Sequence, residues 1–213
     1  MSKPPNALED RGEESGRLFS PSAGRNKADI AAGLSDLLPS GASVLEIGSG
    51  TGEHGIETLA FRPDLSWQFS DPDPKSRASQ SAWAAFRGFQ LNAPMDLDMS
   101  DTQSRAQITQ QYDAIFSANM IHIAPVSALH GLAELAAEAV KIEGQMILYG
   151  PFLFGKESAP SNLEFDASLK RRNATWGVRE LDFVKHIFAK NGFNVTKLRD
   201  MPKNNFLLGI SRR

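Results

Sequence analysis

The sequence predicts an α/β fold in which a mostly parallel sheet carries helices on both faces and ends in an antiparallel strand pair. Three observations point there. Short apolar runs alternate with amphipathic stretches from residue 43 to residue 150, and parallel strands joined in this way need a covering helix between them. One of these runs, Val44-Leu45-Glu46-Ile47, leads straight into glycines. Two final runs, 193–198 and 205–210, flank the turn residues Met201-Pro202-Lys203, which is hairpin spacing.

Each element follows from local pattern. Ser22 is placed to cap a helix running to Leu38, with Ile30, Leu34, Leu37 and Leu38 at helical spacing and Pro39-Ser40-Gly41 ending it. A strand over 43–47 and a helix over 53–61 follow. Residues 67–70 read as a second strand, stopped by Asp71-Pro72-Asp73-Pro74. A helix over 75–86 carries Trp83 and Phe86 on one face. Residues 87–100 hold a short strand before Asp98, and 102–110 a short polar helix. A buried strand spans 112–118. The helix over 126–141 turns Leu129, Leu132, Leu135, Ala136 and Val140 inward. A strand at 145–149 and a helix at 179–191 complete the pattern. Residues 151–176 show no clear period and read as an insertion or lid. The expected organisation is a flexible arm over 1–20 and a single domain over 21–213.

Composition narrows the function. The chain has 213 residues, enough for one α/β domain and too few for two ordinary ones. Hydrophobic residues are 41% and charged residues 23%, a globular balance. A net charge of −2 offers no field for grasping a nucleic-acid backbone. With no cysteine, disulfides, thiolate metal sites and a cysteine nucleophile are excluded, and a reducing cytoplasm is the expected location. No apolar stretch approaches 18 residues, so no membrane span is expected, and the polar start lacks a secretory signal. His54, His122, His130 and His186 are scattered without metal-ligand spacing, so no metal is expected. Gly48-Ser49-Gly50 lacks the G-x-S-x-G elbow of serine hydrolases. The expected partner is a small molecule, and the chain is expected as a monomer or homodimer.

The glycine-rich turn Glu46-Ile47-Gly48-Ser49-Gly50-Thr51-Gly52 sits between a strand and a helix. Glycines admit positive φ and let the backbone approach a ligand, while the following helix offers free N–H groups and a positive dipole end. Asp71 lies 19 residues beyond Gly52, at the tip of the next strand, where an acid binds ribose hydroxyls. The spacing is G-x-G-x-G and not the dinucleotide G-x-G-x-x-G. Glu46 ahead of it would repel a pyrophosphate and attract an ammonium. This charge pattern favours a sulfonium cofactor with an amino-acid tail over NAD(P) and a redox role.

Val44–Gly52 resembles motif I of the class I S-adenosylmethionine-dependent methyltransferases. More specifically, the chain from about Ser20 onward resembles the DUF938 family, also described as methyltransferase-like 26 proteins. The matching blocks include Arg25-Asn26-Lys27, Leu45 to His54, Trp67-Gln68, Ser70-Asp71 and Leu97-Asp98. Asn119-Met120-Ile121-His122-Ile123-Ala124-Pro125 and Tyr149-Gly150-Pro151-Phe152 follow, then Ser161-Asn162, Phe165-Asp166, Trp176-Gly177-Val178-Arg179 and Met201-Pro202 with Asn204-Asn205. Val126 stands where the family usually has Trp, and Lys203 where it usually has Ala. Both departures fall on the expected substrate side, so the resemblance carries no substrate identity.

The resemblance implies a Rossmann-like methyltransferase fold with a seven-stranded sheet, S-adenosylmethionine as cofactor and S-adenosylhomocysteine as product. It places Glu46 and Gly48 along the methionine part, with Ser49, Gly50, Thr51, Gly52 and His54 completing the turn. Asp71 with Pro72 takes the ribose. Asp98 with Met99 meets the adenine amino group, or Asp98 is a turn residue. Asn119 faces the cofactor near the methyl. Arg25 and Asn26 fold a lid over the site, or simply begin a helix. His122 is a general base or a structural turn histidine, and Tyr149 is the second catalytic candidate. Arg179 clamps a substrate carboxylate or phosphate through its fork, or pairs with Asp166 or Glu180. Asn162, Asp166, Asn204 and Asn205 are further substrate-side candidates, the last two alternatively turn formers. Phe152, Phe165 and Trp176 are core or lid packing, or a cage for a cationic amine. The function so implied is methyl transfer to a small molecule, mainly by positioning with possible help from His122. The alternative is a non-catalytic S-adenosylmethionine-binding module acting through protein partners.

Overall fold

The computed structural model describes residues 10–212. The chain divides into two compact units, up to Leu97 and from Asp98 onward.

The first unit opens with a hairpin of β1 (Gly12–Glu14) and β2 (Arg17–Phe19), paired antiparallel around Ser15 and Gly16 in left-handed conformations. These residues were expected within a flexible arm, and positions 1–9 of that arm lie outside the described residues. Helix α1 (Pro21–Leu37) follows. Its cap is Ser20 and not Ser22, because Ser20 is extended and its hydroxyl accepts from Ala23 N. Pro21 then takes the first helical position, where a missing N–H costs nothing. Strand β3 (Ser43–Ile47) pairs in parallel with β4 (Ser66–Ser70), and α2 (Glu53–Phe61) connects them. Helix α3 (Pro74–Arg87) starts at Asp73, whose carboxylate accepts from Lys75 N and Ser76 N, and stops at left-handed Gly88.

The seventh strand implied by the resemblance is absent among the described residues. In 87–100 only Met95 bridges Ser70, in parallel. Met95 N donates to Phe69 O and Asp71 N to Met95 O. Pro94 has no N–H to extend the pairing, and the Ala93 carbonyl is taken by Gln68 Nε2.

Among the described residues the second unit holds four strands. Strand β5 (Tyr112–Ala118) pairs in parallel with β6 (Val140–Pro151). The hairpin of β7 (Phe193–Met201) and β8 (Asn205–Arg212) returns antiparallel, with β8 lying between β6 and β7. Among the described residues the strands β3 to β8 thus number six, in mixed orientation. Helix α4 is one turn, Thr102–Arg105, where a longer helix was expected. Helix α5 (Val126–Ala139) buries Leu129, Leu132, Leu135 and Ala136, and Gly131 lets it press on the Met99 carbonyl, where no Cβ would fit. The region 151–176 contains a helix, α6 (Pro160–Arg172), which buries only Asn162, Asp166 and Leu169; that sparse apolar face hid it from periodicity. Helix α7 (Leu181–Lys190) packs Val184, Ile187 and Phe188 inward. No described helix is long and apolar enough to cross a membrane.

Candidate functional site

The turn after β3 is built by its glycines. Gly48, Gly50 and Gly52 all have positive φ, at 66°, 55° and 90°, conformations that L side chains rarely adopt. A Cβ on Gly52 would lie 3.1 Å from Gln80 Cα, so α3 packs against the turn. Gln80 Nε2 donates to Gly50 O at 3.0 Å, and Ser79 Oγ to Thr51 O at 2.8 Å. Ser49 Oγ and Ser70 Oγ both donate to Glu46 O.

Two buried acids flank the turn. Asp71 Oδ2 accepts from Gly50 N at 2.8 Å and Oδ1 from Asp73 N at 2.9 Å. Burial still raises its carboxyl above the usual range, against those bonds and the attraction of Arg11. Glu46 is only 1% exposed. Its Oε2 accepts from Trp67 Nε1 at 3.0 Å, and a Cβ on Gly55 would come within 2.8 Å of that oxygen. Burial pushes the Glu46 carboxyl up to about 8, with the nearby Asp71 adding to it. An acid in this state favours a cation nearby.

Asn26 and His54 meet directly, Asn26 Oδ1 to His54 Nε2 at 2.9 Å. Burial and Lys27 hold the His54 ring neutral, with a pKa of about 4. Beside them Glu53 accepts from Ser20 N and Thr51 Oγ1 and pairs with Lys27 at 3.3 Å. The Asn26-Lys27 block therefore braces the start of α2, while Arg25 and Pro72 are exposed.

In the second unit Asp98 closes its own turn, Oδ1 accepting from Ser100 N and Ser100 Oγ, and Met99 is buried with its carbonyl held by Arg105. Past β5, Asn119 is left-handed at φ 59°, its N–H donating to Tyr149 O and its carbonyl accepting from His122 N. His122 is 1% exposed, and among the described residues neither ring nitrogen has a hydrogen-bond partner. Its ring meets Phe152 edge-on at 5.6 Å. A Cβ on Gly150 would sit 2.6 Å from His122 Nε2 and 3.1 Å from Asn119 Oδ1. Burial, then the charge of Arg179, drops the His122 pKa to about 3, so the imidazole is neutral. Asn119, His122, Tyr149 and Phe152 are thus brought together around Gly150.

The remaining substrate-side candidates are spent on the framework. Arg179 donates to Ile121 O, Ala124 O and Thr175 O, clamping the loop that carries His122. Gly177 N donates to His122 O. Asp166 accepts from Val178 N and Lys170 Nζ. Asn162 Nδ2 bridges Phe152 O and Asn204 O. Asn204 bonds Ser161 Oγ, and Asn205 bonds the carbonyls of Pro202 and Lys203 within its turn. Phe165 is exposed and Trp176 half-buried. Sequence reasoning passed over Gly150, although it lies inside a matching block, and Arg11, which carries no motif.

Strand order within each unit, with a glycine turn after the first parallel strand, gives an α/β fold that resembles those of methyltransferases. Solved structures with the same fold include the mitomycin 7-O-methyltransferase MmcR, 17% identical, covering 90% of this chain and 56% of that one at a TM-score of 0.74. CalO1, a methyltransferase in calicheamicin biosynthesis in its S-adenosylhomocysteine-bound form, is 12% identical, with 90% and 54% covered and a TM-score of 0.73. Human N-acetylserotonin methyltransferase in complex with S-adenosylmethionine is 15% identical, with 90% and 52% covered and a TM-score of 0.67. The chain spans about half the length of these structures. It belongs to the DUF938 family, described as proteins of unknown function, whose model matches residues 17–212.

Proposed function

We propose that this chain is an S-adenosylmethionine-dependent methyltransferase acting on a small molecule. The observation that carries the reading is the three-glycine turn whose Gly50 N–H is held by the buried Asp71 carboxylate, with Glu46 buried at its foot. The residues fit the cofactor: a cradle that side chains would fill, an acid for a ribose, and a protonated acid that a cation would ionise. When bound, the cofactor supplies a methyl group on a sulfonium. Glu46 and the glycine turn hold the amino-acid end and Asp71 the ribose.

For the acceptor, the neutral His122 ring has a lone pair to accept an O–H or N–H, and Phe152 and Asn119 lie beside it. A ring so reluctant to take a proton contributes chiefly by orientation, and alignment for in-line attack supplies much of such a rate. Arg179, Asn162 and Asp166 hold the loops and act through the backbone.

Calorimetry tests the cofactor assignment. S-adenosylhomocysteine is expected to bind in the micromolar range, about −8 kcal/mol, and Asp71→Ala to weaken it at least tenfold. No heat and no thermal shift with the wild-type protein defeats the assignment. Transfer itself is tested with labelled S-adenosylmethionine in a metabolite extract, where a labelled product is expected; cofactor binding without product would leave a binding module.

A further inference from the structure

We propose that the hairpin β1–β2 is a wall of the cofactor site and that Arg11 is a cofactor-binding residue, donating to the ribose diol whose hydroxyls Asp71 accepts. This rests on the cofactor reading above.

The hairpin is anchored on α3. The Arg17 guanidinium is buried and lies 3.7 Å from the Phe86 ring centre, 5.0 Å from Trp83 and 5.6 Å from Phe19. Burying a cation is costly without compensation, and a face of three aromatic rings offers it. Leu18 N donates to Ser79 Oγ at 2.8 Å, and Trp83 Nε1 donates to Leu18 O at 3.0 Å.

That anchor delivers Arg11 to the glycine turn. Arg11 Nη1 donates to Ser76 Oγ at 3.0 Å, and Nη2 lies 3.6 Å from where a side chain on Gly50 would begin. Ser76 Oγ donates to Asp73 Oδ2, Asp73 N to Asp71 Oδ1, and Gly50 N to Asp71 Oδ2. Arg11 thus ends a chain of polar groups, Ser76, Asp73 and Asp71, that leads to Gly50, and its charge reaches the Asp71 carboxylate. The donor sets are complementary. A carboxylate only accepts and a guanidinium only donates, whereas a hydroxyl does both. Asp71 alone takes the protons of a vicinal diol and leaves its lone pairs unmet; Arg11 supplies the missing donors.

The experiment is calorimetry on the full chain with S-adenosylhomocysteine and with its 2′,3′-dideoxy analogue. Arg11→Ala is expected to weaken S-adenosylhomocysteine about tenfold and the dideoxy compound less than twofold. Arg11→Lys should recover part of the loss, and Arg17→Leu, which removes the guanidinium from Phe19, Trp83 and Phe86, should reproduce the selective loss by releasing the hairpin. Equal weakening of both ligands, or of neither, overturns the assignment of Arg11. If Asp71→Ala weakens binding while Arg11→Ala does not, Arg11 alone is wrong and the cofactor reading stands. If the wild-type protein binds neither ligand, the cofactor reading falls and takes this proposal with it.

Discussion

The two units bury histidine under different terms. In the first, His54 shares a hydrogen bond with Asn26 at the start of α2. In the second, His122 is buried with neither nitrogen satisfied among the described residues. Both rings are held neutral by desolvation, so charge does not separate them. Satisfaction does. A partnered buried polar group is framework, whereas an unpartnered one carries a standing cost that the fold tolerates next to Asn119 and Gly150. In the proposed function, the contrast singles out His122, and not His54, as the ring an acceptor would meet. Glu46 poses the same question with the opposite sign of charge: a buried acid, bonded to Trp67 and kept protonated.

The largest effect expected is at Glu46. Its carboxyl titrates near 8 in the folded chain against an ordinary value of 4.5. Between these values the folded state holds a proton that the unfolded chain has released, so stability falls as pH rises from 4.5 to 8. Glu46→Gln abolishes that loss and should stabilise the protein at pH 8 by up to about 4 kcal/mol. Urea denaturation from pH 5 to 8 measures it; parallel curves for the two proteins defeat the claim. S-adenosylhomocysteine, whose amino group is cationic, should flatten the wild-type decline and leave the variant's curve shape unchanged.

Arg179→Gln comes next. Two bonds to carbonyl oxygens hold the His122 loop and a third reaches Thr175 O; a bond from a charged donor is worth about 1.5–3 kcal/mol net, and glutamine keeps part of the set. A net loss of about 2–3 kcal/mol in unfolding free energy is expected. A variant of wild-type stability that raised KM only for anionic acceptors would return Arg179 to substrate clamping.

The two histidines should then respond with opposite signs. His122→Phe removes two unmet nitrogens and should stabilise by about 1–2 kcal/mol at pH 7 while lowering methyl transfer. Because the folded His122 pKa lies near 3 and the unfolded near 6.5, wild-type stability drops as pH falls below 6.5, and the gain from Phe grows there by about 1.4 kcal/mol per pH unit. His54→Phe should instead destabilise by about 1 kcal/mol by stranding Asn26. Changes of the same sign at both sites at pH 7 break the comparison.

What the sequence made legible follows the same division. The β3 turn, Asp71 and the strands at 43–47 and 112–118 are local statements, written in glycine spacing and short apolar runs, and the structure has them at those positions. The absence of a seventh strand was not legible, since the Gln68 side chain that takes the Ala93 carbonyl lies far from it in sequence. Helix α6 escaped because its buried face is mostly polar, Asn162 and Asp166 among its three buried positions. Arg179 and Asn162 look like ligand groups by type, and only the fold shows that backbone carbonyls occupy them. Arg11 was invisible for the converse reason: a single arginine in a charged stretch gains meaning only when Arg17 is seated among Phe19, Trp83 and Phe86.

The last effect isolates the close packing around His122. Gly150 belongs to β6 and its backbone faces the ring; an added Cβ would lie 2.6 Å from Nε2, closer than any relaxed contact. The ring cannot retreat freely, because Phe152 stands edge-on beside it and the loop behind it is clamped by Gly177 N and Arg179. Gly150→Ala should therefore tilt the imidazole by a small amount and occupy the space an acceptor needs. The expected result is about a tenfold fall in kcat, close to 1.4 kcal/mol in the barrier, with S-adenosylhomocysteine affinity within twofold of wild type, because the glycine turn and Asp71 lie elsewhere in the chain. If cofactor affinity falls and kcat does not, the Gly150 contact serves the cofactor, and the acceptor role proposed for His122 is wrong.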